Sequence, residues 1–418
     1  MTPSIYSLFV LGSILTCTLT PLIRYFALQK GFVDCPQRAR KVHHQATPRL
    51  GGAAVLLSFI VVVSIASISV PQLSKIFIGD NAVIGTILLG SIGIFVIGFL
   101  DDLSRLSPRT KLLGEFFIAG FVVWGANLNF TNVQLLGLGS ISFPEWLGFA
   151  LACLWIVGMS NAINLIDGLD GLASGITLVG LIAVSVVGYL AGISSVTWLS
   201  TLLIGCLLGF LVYNSRPASI FLGDCGSLTI GYLAGCLTLL ASFREGGVID
   251  GIFPILAFAI PILDCIFAIF RRTMRGRSPF SPDMEHFHHR LMAKGLSHGK
   301  AVLAMWAASF SCSLVAIAAA FGKGDQLFAV FVFFGLGGFI LLRYLGYFRF
   351  EFFGQGFSSI MEDRKSTKSV EQAIKEAESI VGNSETLGQI KACLEKAAKG
   401  MQFQEDKISF FSTNGRLG

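Results

Sequence analysis

Asn161-Ala-Ile-Asn-Leu-Ile-Asp-Gly-Leu-Asp-Gly-Leu-Ala-Ser-Gly175 joins two apolar runs, each long enough to cross a bilayer. It holds Asn164, Asp167 and Asp170 within two helical turns. A carboxylate at the end of a membrane helix is costly, so it faces a pocket or a partner rather than lipid. Gly168 and Gly171 punctuate the acids, as expected of a tight turn where backbone approaches a ligand. The plainer alternative is a short polar loop between two spans, since Asp-Gly is a common turn. The crowding of two acids and two amides against apolar surroundings favours function.

Working outward, composition sets the class. Hydrophobic residues make up 53% of the 418 positions and charged residues only 13%, against roughly 25% charged in soluble chains. Mean hydropathy is +0.72. The fold expected is all-α, a polytopic membrane protein. Eleven apolar segments fall near 4–24, 50–70, 82–100, 111–128, 146–165, 172–191, 195–213, 226–243, 252–270, 301–321 and 327–345. Residues 1–345 read as a transmembrane domain and 346–418 as a cytoplasmic, partly helical tail. The nine cysteines lack metal or redox spacing and read as small core residues. The N-terminus lacks a basic n-region, so the first apolar run is expected to be a retained span.

The loops alternate sharply in charge. One set holds only Lys75, Arg244 and Lys323, leaving 28 of the 31 basic residues to the other. The positive-inside rule then puts the N-terminus outside and the C-terminus in the cytoplasm. All six histidines fall on that cytoplasmic side, so one face is expected to carry the chemistry.

Five cytoplasmic segments hold the candidates. Arg38, Arg40, Lys41 and Arg49 could simply anchor helices at anionic headgroups. The Thr47-Pro-Arg-Leu-Gly-Gly52 that ends their loop implies a shaped turn, with His43 beside it as one wall of an anion site. Asp101-Asp102 ends a span. Adjacent acids there need a cation, a cationic substrate or a shifted pKa, unless Arg105, Arg109 or Lys111 pairs with them. Asn214 opens a loop ending Phe221-Leu-Gly-Asp224, where Asp224 is either a helix N-cap or part of a phosphate–metal site. Phe221 is either lipid-facing or a stacking platform. Finally, Arg277 precedes Glu285-His-Phe-His-His289. Read as a helix, His286 and His289 share a face while His288 projects elsewhere. Without HExxH spacing or a nearby loop cysteine, three histidines among arginines suit an anionic diphosphate better than zinc.

Together these pieces resemble the polyprenyl-phosphate N-acetylhexosamine-1-phosphate transferase family. The match rests on Arg40-Lys-Val-His43, Thr47–Gly52, Asp101-Asp102, Asn161–Gly171, Phe221-Leu-Gly-Asp224 and Ser278-Pro-Phe-Ser-Pro-Asp-Met-Glu-His-Phe-His-His289, in the family's order. The His-Phe-His-His form and Pro261-Ile-Leu-Asp264 look like the branch that loads GlcNAc-1-phosphate. The resemblance implies transfer of a sugar-1-phosphate from a UDP-sugar to polyprenyl (undecaprenyl) phosphate in the bilayer, with release of UMP. This would be the first step of cell-envelope glycan synthesis, at the cytoplasmic face of a bacterial plasma membrane. It implies Mg²⁺, replaceable by Mn²⁺, on Asn164 and Asp224. Asp101 and Asp102 would meet the lipid phosphate, Asp101 as a base, and Asp167 and Asp170 would shape the pocket. Asn214 and Phe221 would hold the uracil. Arg277, His286, His288 and His289 would clamp the diphosphate and sugar. Nucleic acid is not an expected partner, and a homodimer is left open. The alternatives are a muramyl-pentapeptide transferase and, from another class, an ion-coupled transporter; the latter would place acids near the midplane in repeated halves.

Overall fold

In a computed structural model, the chain is described over residues 5–34, 47–69, 81–104, 106–135, 139–244, 248–276 and 285–321, with a few isolated positions beyond. It divides into two compact units. The larger comprises Met1–Ile269 and Pro282–Leu345. The smaller comprises Phe270–Ser281 and Gly346–Gly418, where Phe411–Ser412 and Gly415–Arg416 pair as antiparallel strands.

Apolar runs of this length bury their backbone polar groups in helices, because lipid offers no partner for an open N–H or C=O. The helices are α1 (Ile5–Lys30), α2 (Gly51–Ser69), α3 (Asn81–Ser104), α4 (Pro108–Gly125), α5 (Glu145–Ile166) and α6 (Leu172–Leu190). They continue with α7 (Ser194–Asn214), α8 (Gly223–Ser242), α9 (Ile252–Ala257), α10 (Ala259–Met274), α11 (Phe287–Ala293) and α12 (His298–Phe321). Eight of these are long and apolar enough to cross a membrane, so the chain is a helical, multi-pass membrane protein. Arg109, Lys111 and Glu115 keep α4 out of that group. The expected eleventh segment, 327–345, lies almost wholly outside the described residues.

One expected span departs from a single helix. The 252–270 segment is broken at Phe258 into α9 and α10. Pro261 lacks an N–H and its ring crowds the carbonyl four residues back, on Ala257, which favours a break at this point.

The core sits around α8. Nearly its whole length is buried, among α2, α3, α5 and α6. A helix enclosed on every side must be small or apolar all round, and α8 alternates Gly, Ala, Cys, Ser and Thr with Leu and Ile.

The two ends of the bundle differ. At one end, β1 (Asn132–Leu135) and β2 (Gly139–Ser142) form a hairpin, and β1 pairs in parallel with β3 (Val248–Asp250). The 129–145 and 244–251 loops, which the charge alternation assigns to the same side, are thus hydrogen-bonded together. At the other end, Thr47–Gly52 is zipped to 221–222. Phe221 N donates to Pro48 O (2.8 Å), Gly51 N to Phe221 O and Gly52 N to Leu222 O (both 2.9 Å). This approach requires glycine: a Cβ on Gly52 would stand 2.2 Å from the Gly226 Cα. Gly52→Val is therefore expected to push α2 off α8 and cost about 1–3 kcal/mol, read as a lower unfolding temperature of the detergent-solubilised protein.

Candidate active site

The acids are placed by helix ends. Asp101 and Asp102 fall in the last turn of α3, Asn164 in the last turn of α5, and Asp224 in the first turn of α8. Between α5 and α6, Gly171 takes a left-handed conformation (φ 73°) and turns the Asp167–Asp170 loop back.

Lys111, on the first turns of α4, joins two of these elements. Its Nζ lies 2.8 Å from Asp101 Oδ2 and 2.8 Å from Asp224 Oδ2. Sequence reasoning named Lys111 only as one of three neutralising partners for the acid pair. Its bridge to Asp224 spans 113 residues, which no local pattern reveals. Four residues along α4, Glu115 is fully buried and accepts a hydrogen bond from Asn161 Nδ2.

Several expected site residues prove to be committed inside the protein. Asp102 accepts from the backbone N–H of Asp224 (3.2 Å) and of Cys225 (3.0 Å). The N-cap considered for Asp224 is thus supplied by Asp102, and the Asp224 carboxylate turns instead to Lys111. Asp170 accepts from Ala218 N (3.1 Å), while its own N–H donates to His298 Nε2 (3.1 Å). Asn214, 3% exposed, accepts from Ser174 Oγ (3.1 Å) and donates to Ile220 O (3.0 Å). Asp170 and Asn214 therefore brace the 215–222 turn that carries Phe221. Asp167 keeps some exposure, yet burial and the negative charge of Asp224 push its carboxyl up to about 7, with Arg49 partly offsetting them.

The histidines correct the helical reading. Only Phe287 onward is helical; His286 is extended (ψ 158°) and precedes α11. That conformation lets the rings pile together. His286 and His288 stack within 6° of parallel at 5.8 Å, and His288 lies 4.1 Å from His289. Asp264, fully buried on α10, fixes this arrangement: Oδ2 meets His286 Nδ1 and Oδ1 accepts from Phe287 N, both at 2.9 Å. His288 presses on the acid loop, where a Cβ on Gly168 would stand 2.5 Å from its Nε2. Asp264 and His298 are positioning residues that the sequence did not mark as such. Arg277 and His43 lie outside the described residues.

The donor set fits a hard divalent cation. Among the described residues no three His, Cys, Asp or Glu side chains converge as a self-sufficient metal site. Asn164 donates through its amide N–H groups to Asp224 and to Ser227, which leaves its Oδ1, beside the Asp224 carboxylate, as a second oxygen for an ion. Mg²⁺ is commonly held by one or two carboxylates while phosphate oxygens and water complete its shell. Lys111 holds Oδ2 of Asp224, so such an ion would share that carboxylate with it or replace it.

Residues 84–242 match the family model described as glycosyl transferase family 4. The chain is 37% identical over 314 residues to the probable undecaprenyl-phosphate N-acetylglucosaminyl 1-phosphate transferase of Bacillus subtilis, covering 74% of this chain and 83% of the relative. The chain belongs to glycosyl transferase family 4. The decaprenyl-phosphate N-acetylglucosaminephosphotransferase of Mycolicibacterium smegmatis is 35% identical, covering 71% and 77% of the two chains. A phospho-N-acetylmuramoyl-pentapeptide-transferase of Halalkalibacterium halodurans is 29% identical, covering 74% and 95%. Family 4 thus encompasses both enzyme readings of the motifs, and the GlcNAc-type relatives are the more similar.

His288 yields a pH prediction. It is 1% exposed, and burial, then the neighbouring His289, His286 and His298, depress its pKa to about 3. The unfolded chain binds this proton near pH 6.5, so His288 favours folding above 6.5 and loses that contribution as pH falls toward 3. The expected slope is about 1.4 kcal/mol per pH unit in that window. Unfolding temperature against pH should fall less steeply in His288→Leu than in the unsubstituted protein.

Proposed function

We propose that this chain transfers a sugar-1-phosphate, GlcNAc-1-phosphate, from a UDP-sugar to a membrane polyprenyl phosphate, releasing UMP. The observation that carries this reading is the meeting of Asp101 and Asp224 on Lys111 at one end of the bundle, with Asn164 bonded to Asp224 and Asp167 close enough to feel its charge. It occurs in a chain 37% identical to a probable GlcNAc-1-phosphate transferase. A muramyl-pentapeptide donor has weaker support, since relatives of that type are less similar.

In the proposed reaction an oxygen of the lipid phosphate bonds to the sugar-bearing phosphorus. The bond from that phosphorus to the oxygen shared with UMP breaks, and the pair leaves with UMP. Both reactants are anions, so the residues must first overcome their repulsion. Mg²⁺, held by Asn164 and Asp224, would supply charge neutralisation and polarise phosphoryl oxygens. Asp101 ends a membrane helix, at the level where a lipid headgroup lies. There it takes a proton from the lipid phosphate when that arrives protonated, while Lys111 offsets the charge of the encounter. The neutral His288, packed on Gly168, closes the acid loop, and His286, held by Asp264, faces the diphosphate with His289. Phe221 offers a face for the uracil; Asn214 and Asp170 hold the turn that presents it.

The same reading places the site at the cytoplasmic side of a bacterial inner membrane, with eleven spans and the N-terminus outside. It is supported by the concentration of basic residues on the loops of that end. The tail from 346 is proposed to be a cytoplasmic appendage.

The direct test is UMP release from UDP-GlcNAc and from UDP-MurNAc-pentapeptide, with undecaprenyl phosphate as acceptor. Only the first donor should react, and excess EDTA should stop it; full turnover on metal-stripped protein would overturn the metal reading. Asp224→Asn keeps the size but removes the charge. Turnover is expected to fall roughly a thousandfold, as for loss of a principal electrostatic stabiliser. A chain ending near residue 355 should retain transfer, because every site residue precedes it. A folded but inactive truncation would assign the tail to the site.

A further inference from the structure

Three side chains of α5 reach across to α8. Trp155 Nε1 donates to Gly235 O (3.2 Å) and Thr238 Oγ1 (3.0 Å), and Ser160 Oγ to Leu228 O (2.7 Å). Asn164 Nδ2 donates to Ser227 Oγ at 2.8 Å. The first two tie helix to helix well along the seam. The third comes from Asn164, whose amide N–H also donates to the Asp224 carboxylate.

Ser227 is fully buried, and its own hydroxyl donates to Gly223 O, one turn back on α8, at 3.0 Å. A hydroxyl has one proton. With that proton committed to a carbonyl, Oγ can only accept, so the edge of Asn164 that faces it must be the NH₂ edge. Turned by 180°, the amide would set Oδ1 against a lone pair with no hydrogen between them, and Ser227, fully buried, could find no water in exchange.

We infer that Ser227 is a positioning residue: it locks the Asn164 amide so that Oδ1, the only atom of that side chain able to hold a cation, is left for the ion. The inference rests on the reading that Asn164 and Asp224 bind a divalent cation. Ordering of a ligand by an outer hydrogen bond is typically worth ten- to a hundredfold in metal affinity.

The test is a Mn²⁺ titration of the full-length purified protein, followed by electron paramagnetic resonance without substrates. Ser227→Ala should weaken Mn²⁺ binding about tenfold or more. Ser227→Cys keeps the side-chain volume but offers a poor acceptor, and should show the same loss with the fold kept. Ser160→Ala removes a bond from the same seam one turn away. It should lower the unfolding temperature similarly while leaving Mn²⁺ affinity unchanged. In the Asn164→Asp background both terminal atoms are oxygens, so Ser227→Ala should cost no further affinity. Unchanged Mn²⁺ affinity in both Ser227 variants, or the same loss in the Asn164→Asp background, would overturn the inference. If the unsubstituted protein binds no Mn²⁺, the metal reading fails and takes this inference with it.

Discussion

The N-terminus of a fully enclosed helix is the constraint on which this site depends. The first N–H groups of α8 have no partner within the helix, and the helix dipole adds partial positive charge there. Water cannot serve them freely at the centre of a bundle. Asp102 meets the demand by accepting from Asp224 N and Cys225 N. That cap holds α3 against α8, and it stabilises a second acid, Asp224, in the first turn. Two carboxylates at one helix end, with Asp101 adjoining, then require a cation. Lys111 supplies one, and a divalent ion on Asp224 would add to it or replace it.

Around that end, polar side chains divide by what they already hold. Asp102, Asp170, Asn214 and Asp264 each satisfy backbone or side-chain partners within the protein, and so determine where loops lie. Asp101 and Asp224 are held by Lys111 through bonds that an ion or a phosphate could exchange, while Asn164 keeps its bond to Ser227. The distinction follows from burial. An acid that accepts backbone N–H groups cannot leave them unpaired in a dry interior without a loss of about 1–3 kcal/mol for each, whereas a lysine ammonium can find another anion.

The helical, membrane-spanning class was legible because an apolar run of about twenty residues has no other stable form in lipid. The glycines of Thr47–Gly52 and Asp167–Gly171 were legible as close approaches, though not what they approach: Gly226 in one case and His288 in the other. The break at Phe258 was missed because hydropathy averages over a helix and is blind to the lost N–H of Pro261. The histidine pile was misread because a helical wheel presumes helix from His286, which is extended. The bridge from Lys111 to Asp224 and the role of Asp264 stayed hidden for a different reason. Each of Lys111 and Asp264 is a charged residue in an apolar helix, and its meaning comes from partners 113 and 22 residues away.

The two acids seated inside helices bear on what kind of membrane protein this is. An ion-coupled transporter would set carboxylates along a path through the bilayer. Among the described residues, Glu115 and Asp264 are the buried acids away from the helix ends. Glu115 binds Asn161, one turn before Asn164, and Asp264 binds His286 and the backbone that starts α11. Each therefore supports a motif of the same end of the bundle from beneath. Neither is followed by another acid on a route across the membrane among the described residues. The buried acids thus gather beneath one end of the bundle instead of marking a route through it, which favours the proposed transferase over a transporter.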